Sequence, residues 1–141
     1  MTNLAQYVSK LPREDYARGR KFEIDCKSWL TDDSVWGSLV SKVWLWDEWP
    51  ERWGRDAGID LVIQMKDEKV WAIQCKCFSE SQTLKKSDID TFLSESSRSM
   101  FEGRIIISTT SNLSSTLKKT LDGQEKQVKL ILGNDLEESV V

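Results

Sequence analysis

Apolar residues follow two rhythms along this chain. Between about Asp15 and Leu30, Phe22, Cys26, Trp29 and Leu30 recur at i, i+4, i+7 and i+8, the spacing of a buried helical stripe, which predicts a first helix. From Leu39 to Trp49 the period drops to two. Val43 and Leu45 share one face and Trp44 and Trp46 the other, so this stretch reads as a strand until Pro50 and Gly54 break it into the loop PERWGRDAG. Two more apolar runs, at about Ile59–Met65 and Val70–Phe78, flank the charged turn Lys66-Asp67-Glu68-Lys69 and form a β-hairpin. Further on, Ser87 with Asp90 three positions later has the form of a capping box, opening a helix with Ile89, Phe92 and Leu93 on one side. GRIIISTTS reads as a short buried strand. Asn112 is the expected cap of a helix that carries Leu113, Leu117 and Leu121 and ends at Gly123. VKLIL is the last strand, and the tail LEESVV turns polar. The order α-β-β-β-α-β-α-β, without repeat or linker, predicts an α/β fold with a central mixed β-sheet flanked by helices.

Three residues break the hairpin's apolar pattern. Asp60 interrupts the first run, and Gln74 and Lys76 interrupt the second. Side chains alternate along a strand, so Asp60 shares a face with Val62 and Gln64, while Gln74 and Lys76 share a face with Ala72. A turn near Asp67 or Glu68 and an even register bring Asp60 beside Gln74 or Lys76. One reading is a structural ion pair, although desolvation makes buried pairs a poor source of stability. The other is a metal site. A carboxylate, an amide oxygen and the main-chain carbonyl of Cys75 are hard oxygen donors suited to Mg²⁺. A lysine on the same face can orient water or stabilise charge on a phosphoryl transition state, which points to phosphodiester hydrolysis.

Composition narrows the chemistry further. The chain has 141 residues, the length of one domain, and no histidine, which removes histidine-based triads, zinc sites and nucleases. The three cysteines, two of them as Cys75-x-Cys77, form no disulfide framework, and the N-terminus has no signal-peptide core, so a cytoplasmic chain with no membrane partner is expected. The net charge of −3 is unusual for a free-standing nucleic-acid binder; positive surface for such a partner has to come from elsewhere.

The set GID, thirteen residues, then QCK resembles the signature of the PD-(D/E)XK nucleases, in the Mrr-like variant with glutamine in place of the second acid. RGRKFEIDCKSWL resembles that family's first helix, and KKSDIDTFLSES and GRIIISTTSNLSSTLKK the elements after the hairpin. VWLWDEWP, GRDAGIDLV and WAIQCKCF are similar to the N-terminal nuclease domain of Type ISP restriction-modification enzymes and related restriction helicases. The resemblance implies a restriction-endonuclease-like fold over residues 1–141, as the N-terminal part of a longer helicase-linked protein. It implies Asp60 as the central metal-binding acid, Gln74 as a metal ligand, Lys76 as the catalytic lysine and Glu23 as a further acid, directly or through water. Mg²⁺ is the implied cofactor, with Mn²⁺ able to substitute. DNA is the implied partner, together with helicase and methyltransferase domains of the parent chain and transient self-association on DNA. Ile59 stands where the motif's name has proline, as is common in this branch.

Beyond the motif, Arg55, Lys85, Lys86, Lys118 and Lys119 are candidate phosphate contacts, as are Arg52, Ser87, Ser108 and Thr109. Asp56 is either at the mouth of the site or a turn residue. Trp44, Trp46, Trp49 and Trp53 read as packing rather than base stacking. The alternatives to a DNA endonuclease are a non-cleaving module of the same fold that binds DNA or docks other domains, and a junction-resolving or RNA nuclease.

Overall fold

The hairpin forms the centre of a sheet in the computed structural model, which describes residues 3–138. In chain order the first half contains α1 (Leu4–Ser9), α2 (Asp15–Asp32), α3 (Trp36–Leu39), β1 (Val40–Leu45), β2 (Leu61–Met65) and β3 (Val70–Lys76). The second half contains β4 (Thr83–Leu84), α4 (Lys86–Glu95), β5 (Gly103–Ser108), β6 (Asn112–Leu113), α5 (Ser115–Asp122), β7 (Val128–Ile131) and α6 (Gly133–Glu138). The main sheet runs β1-β2-β3-β5-β7. Its first three strands are antiparallel, and β5 and β7 continue from β3 in parallel, so the sheet is mixed.

Both faces of the sheet are covered, which is why its inner strands read as nearly continuous apolar runs. Leu61, Ile63, Ile73, Cys75, Ile105 and Ile107 pack with Phe22, Cys26 and Leu30 of α2. On the other face Val62, Ala72 and Ile106 meet Ile89 and Phe92 of α4, Leu117 of α5, and Trp46, Trp49 and Phe101. Among the described residues no helix is long and apolar enough to cross a membrane.

Several boundaries differ from the pattern-based ones. The first helix extends to Asp32, and the β1 strand stops at Leu45 because Trp46–Glu48 form a 3-10 turn. The hairpin strands are shorter than the apolar runs, starting at Leu61 and ending at Lys76. Ser87 is not the cap of α4. Lys85 holds that position, its N–H donating to the Asp88 carboxylate at 2.8 Å, and Ser87 lies within the first turn. Asn112 is not the cap of α5 either; Ser114 is, its Oγ accepting from the Leu117 N–H at 3.1 Å, while Asn112 pairs with Thr83 across β4 and β6. The polar tail forms α6 as far as Glu138, anchored by fully buried Leu136; residues 139–141 lie outside the described ones.

Candidate active site

Asp60 sits one residue before the first ladder residue of β2. Gly58, at φ 69°, turns the chain into this position, and its N–H donates to Asp56 Oδ1 at 3.0 Å. The left-handed backbone and the nearness of Thr91, 2.9 Å from where a β-carbon would lie, both call for glycine there. The Asp60 backbone is then fixed from both sides: its N–H donates to the Ile73 carbonyl at 2.9 Å, and its carbonyl accepts from the Trp46 N–H at 2.9 Å.

The ladder register Leu61↔Ile73, extended by one pair, sets Asp60 opposite Gln74. Asp60 Oδ2 accepts from the Cys75 N–H at 2.8 Å and from Gln74 Nε2 at 3.3 Å. Oδ1 accepts no hydrogen bond among the described residues. Burial pushes the Asp60 carboxyl up from the usual aspartate range, against the pull of the two donors and of the Lys76 charge, and the nearby Asp56 charge adds to the rise. Asp56 is thus both a turn residue and part of the field at Asp60.

Lys76 is half-buried at the end of β3. It faces the Asp60 charge yet forms no salt bridge among the described residues. The Lys76 carbonyl accepts from the Thr109 N–H at 3.1 Å. Thr109 Oγ1 bonds both the N–H of Phe78, at 2.7 Å, and its carbonyl, at 2.6 Å, clamping the chain as it leaves β3. Ser108 is buried too, its Oγ accepting from the Thr110 N–H at 3.2 Å, so both hydroxyls serve bonds within the chain.

Glu23 reaches the same end of the sheet from α2. Its carboxyl is pushed up to about 7, first by burial and then by the Asp60 charge, with the Arg20 guanidinium opposing. Arg20 and Asp47, which no periodicity singles out, join this network: Arg20 lies 3.6 Å from Glu23 and 3.0 Å from Asp47. The only sequence signal is that Arg20 lies one turn before Glu23 on the same helix face.

The oxygen donors fit a hard divalent cation. Asp60 Oδ1 is unbonded and Gln74 supplies an amide. Successive residues of a strand direct their backbone groups to alternate sides, so the Cys75 carbonyl lies on the same side as its N–H, toward Asp60. Among the described residues no group of three or more His, Cys, Asp or Glu side chains is placed to hold a metal, so a site here depends on the amide and main-chain oxygens. The cysteine thiols lie elsewhere: Cys26 and Cys75 are buried in the α2-facing core, and Cys77 packs against it.

The other candidates lie further out. Arg52 and Arg55 line an open groove of about 630 Å³ with Trp46, Asp47, Pro50 and Gly54. Lys86 is paired with Asp90 at 2.9 Å, Lys85 opens α4, and Lys118 and Lys119 are exposed on α5. Among the described residues these lysines share no hydrogen bond or ion pair with Asp60, Gln74, Lys76 or Glu23. The tryptophans are packing: Trp46 and Trp49 are buried, and Trp53 meets the Trp46 ring edge-on at 5.0 Å.

Among curated proteins, none matches the sequence. Among solved structures, the "ATP-dependent Type ISP restriction-modification enzyme LlaBIII bound to DNA" is similar at 30% identity and a TM-score of 0.75, over 89% of this chain and 8% of that one. "MspJI Restriction Endonuclease in Complex with 27-mer Oligonucleotide" aligns at 18% identity and a TM-score of 0.62, over 97% of this chain and 30% of that one. The "DNA modification-dependent restriction endonuclease AspBHI" aligns at 13% identity and a TM-score of 0.54, over 97% and 37%. The last two share the restriction-endonuclease-like fold, and the chain spans well under half the length of each structure. Residues 31–141 match the Mrr_cat_2 restriction endonuclease family, a stretch that includes Asp60, Gln74 and Lys76 and begins after Glu23. Because the match runs from the end of α2 through the whole sheet, the chain belongs to this restriction endonuclease family.

Proposed function

We propose that this chain is a Mg²⁺-dependent DNA endonuclease domain, the cleavage module of a longer helicase-linked restriction enzyme. One observation carries the reading: a half-buried Asp60 carboxylate keeps an oxygen free of hydrogen bonds among the described residues, beside a lysine that forms no ion pair. A structural ion pair would bring Asp60 and Lys76 into contact, and they make none.

Asp60, the Gln74 amide oxygen and the Cys75 carbonyl would hold the ion, with Glu23 as a further acid. When bound, Mg²⁺ supplies Lewis acidity at a phosphodiester and lowers the pKa of water. The Cys75 N–H fixes the orientation of the Asp60 carboxylate through a short charge-assisted bond. Lys76, which faces the Asp60 charge without a salt bridge to it, would orient the attacking water and donate to the charge that builds on the phosphate. The neutral amide of Gln74 binds a cation more weakly than a glutamate would, so a DNA phosphate completes the ligand set. DNA capture and translocation belong to other domains of the parent protein, including helicase and methyltransferase domains, with transient self-association on DNA. The likeness to an ATP-dependent enzyme bound to DNA supports this division of labour.

The test is supercoiled-plasmid cleavage at low salt with Mg²⁺ or Mn²⁺, comparing the wild-type chain with D60A and K76A. Metal-dependent nicking should fall by about a thousandfold in each variant. Cleavage by the longer protein that survives both substitutions would reduce this domain to a scaffold.

A further inference from the structure

Among the described residues, Arg20 is the ion-pair partner of Glu23. Its guanidinium spans two carboxylates: Nη1 lies 3.6 Å from Glu23 Oε1, and Nη2 lies 3.0 Å from Asp47 Oδ2 and 3.4 Å from Oδ1. Asp47 belongs to the 3-10 turn after β1. Its neighbour Trp46 donates its main-chain N–H to the Asp60 carbonyl at 2.9 Å, so Asp47 is anchored one residue from the bond that fixes Asp60. Glu48, next in the same turn, accepts from Lys27 Nζ at 2.7 Å and from the Leu45 N–H at 2.8 Å. Positions 20, 23 and 27 share one face of α2. The turn and the helix are therefore tied at two points, through Arg20 and Lys27, that bracket Glu23, and the arginine of the first tie also stands 3.6 Å from the Glu23 carboxylate. A guanidinium fork can bridge two acids at once; an ammonium on a flexible stem cannot hold that geometry.

We infer that Arg20, anchored by Asp47, is a positioning residue that sets the Glu23 carboxylate at the divalent-cation site formed around Asp60. The inference rests on the metal-dependent nuclease reading above. The sign of one measurement separates it from a plain charge effect. A guanidinium beside a cation site repels the cation, so a residue acting only through its charge would, when removed, tighten metal binding. A positioning residue would, when removed, weaken it.

The experiment is Mn²⁺ binding to the 141-residue chain, followed by loss of the free-ion paramagnetic resonance signal, in wild type, R20A, R20K and D47N. R20A should weaken Mn²⁺ binding about tenfold, the low end for an outer-sphere partner because Arg20 is partly exposed. R20K should weaken it nearly as much, since lysine keeps the charge and loses the fork, and D47N about threefold. Plasmid cleavage by R20A at saturating Mn²⁺ should return to within about threefold of wild type, which locates the loss in the metal requirement. R20K and D47N keep this surface polar and carry the test even where R20A folds poorly. Unchanged or tighter Mn²⁺ binding in R20A and R20K would overturn the role of Arg20 and leave the nuclease reading standing. A wild-type chain that binds no divalent cation would overturn both.

Discussion

Glu23 is where the electrostatics of the site bear most directly on stability. Its carboxyl is raised from 4.5 to about 7, so between those values the folded chain holds a proton that the unfolded chain has lost. The sign follows: the contribution to stability is fully present below about pH 4.5 and is lost as pH rises through 7. E23Q removes the charge altogether. At pH 8 it should therefore stabilise the metal-free protein by on the order of 1–2 kcal/mol, and near pH 4 it should change nothing. Calorimetric melting across that range is the check; a wild-type pH profile that parallels that of E23Q would mean Glu23 titrates as an ordinary glutamate. The opposite ends of this network differ in legibility. Asp60, Gln74 and Lys76 stand out in the sequence because each puts a polar group into an apolar strand, against the alternation. Arg20 and Asp47 do not, because a charge on a helix surface or in a turn is the usual case and only a through-space contact gives it a role.

At the scale of elements, the pairing of β3 with β5 holds in register the strand that carries Gln74 and Lys76. Trp71 and Gly103 are partners in that ladder, and the Trp71 ring lies where a β-carbon on Gly103 would have to go. G103A should therefore cost about 2–3 kcal/mol in chemical denaturation, the upper range for overpacking, because the clash is with a large rigid ring. W71L in the same background should recover part of the loss, a coupling that a double-mutant cycle measures. The long elements were legible in the sequence because β2, β3, β5, α2 and α4 carry enough apolar residues to show a period. The elements α1, α3 and α6 were not, at six, four and six residues. Contacts distant in sequence support two of them, including the Leu4 N–H to Glu137 Oε1 at 3.1 Å and the Tyr7 hydroxyl to Asp25 at 2.6 Å. The two misplaced helix caps share one cause. Pairing of Thr83–Leu84 with Asn112–Leu113 makes these residues strand, so α4 is capped by Lys85 and α5 by Ser114, each the residue right after its short strand.

For the whole molecule, charge decides how much of a DNA-cutting reaction one chain can perform. Twenty Lys and Arg face twenty-three Asp and Glu, and several of the cations are already committed: Arg18, Arg20, Lys21, Lys27, Lys69, Lys86 and Arg98 all sit in ion pairs. Of the candidate phosphate contacts, Arg52, Arg55, Lys85, Lys118 and Lys119 form no salt bridge among the described residues. Each phosphate neutralised on duplex DNA contributes a slope of about −0.9 to log K against log salt. Five contacts of this kind therefore give a slope of at most about −4.5, and non-specific binding at physiological salt should be no tighter than roughly 10 µM. Fluorescence anisotropy with a labelled duplex between 50 and 200 mM salt, conditions on the order of those that separate strong from weak binders, measures this directly. The K118A/K119A double variant should reduce the slope by about two if both lysines touch phosphate. A wild-type slope of about −6 or steeper would require more cations than these five and would place DNA capture within this chain. A slope shallower than that supports the proposal that DNA capture lies outside this chain, because a nuclease module with so little affinity of its own would cut efficiently only where something else held the duplex against it.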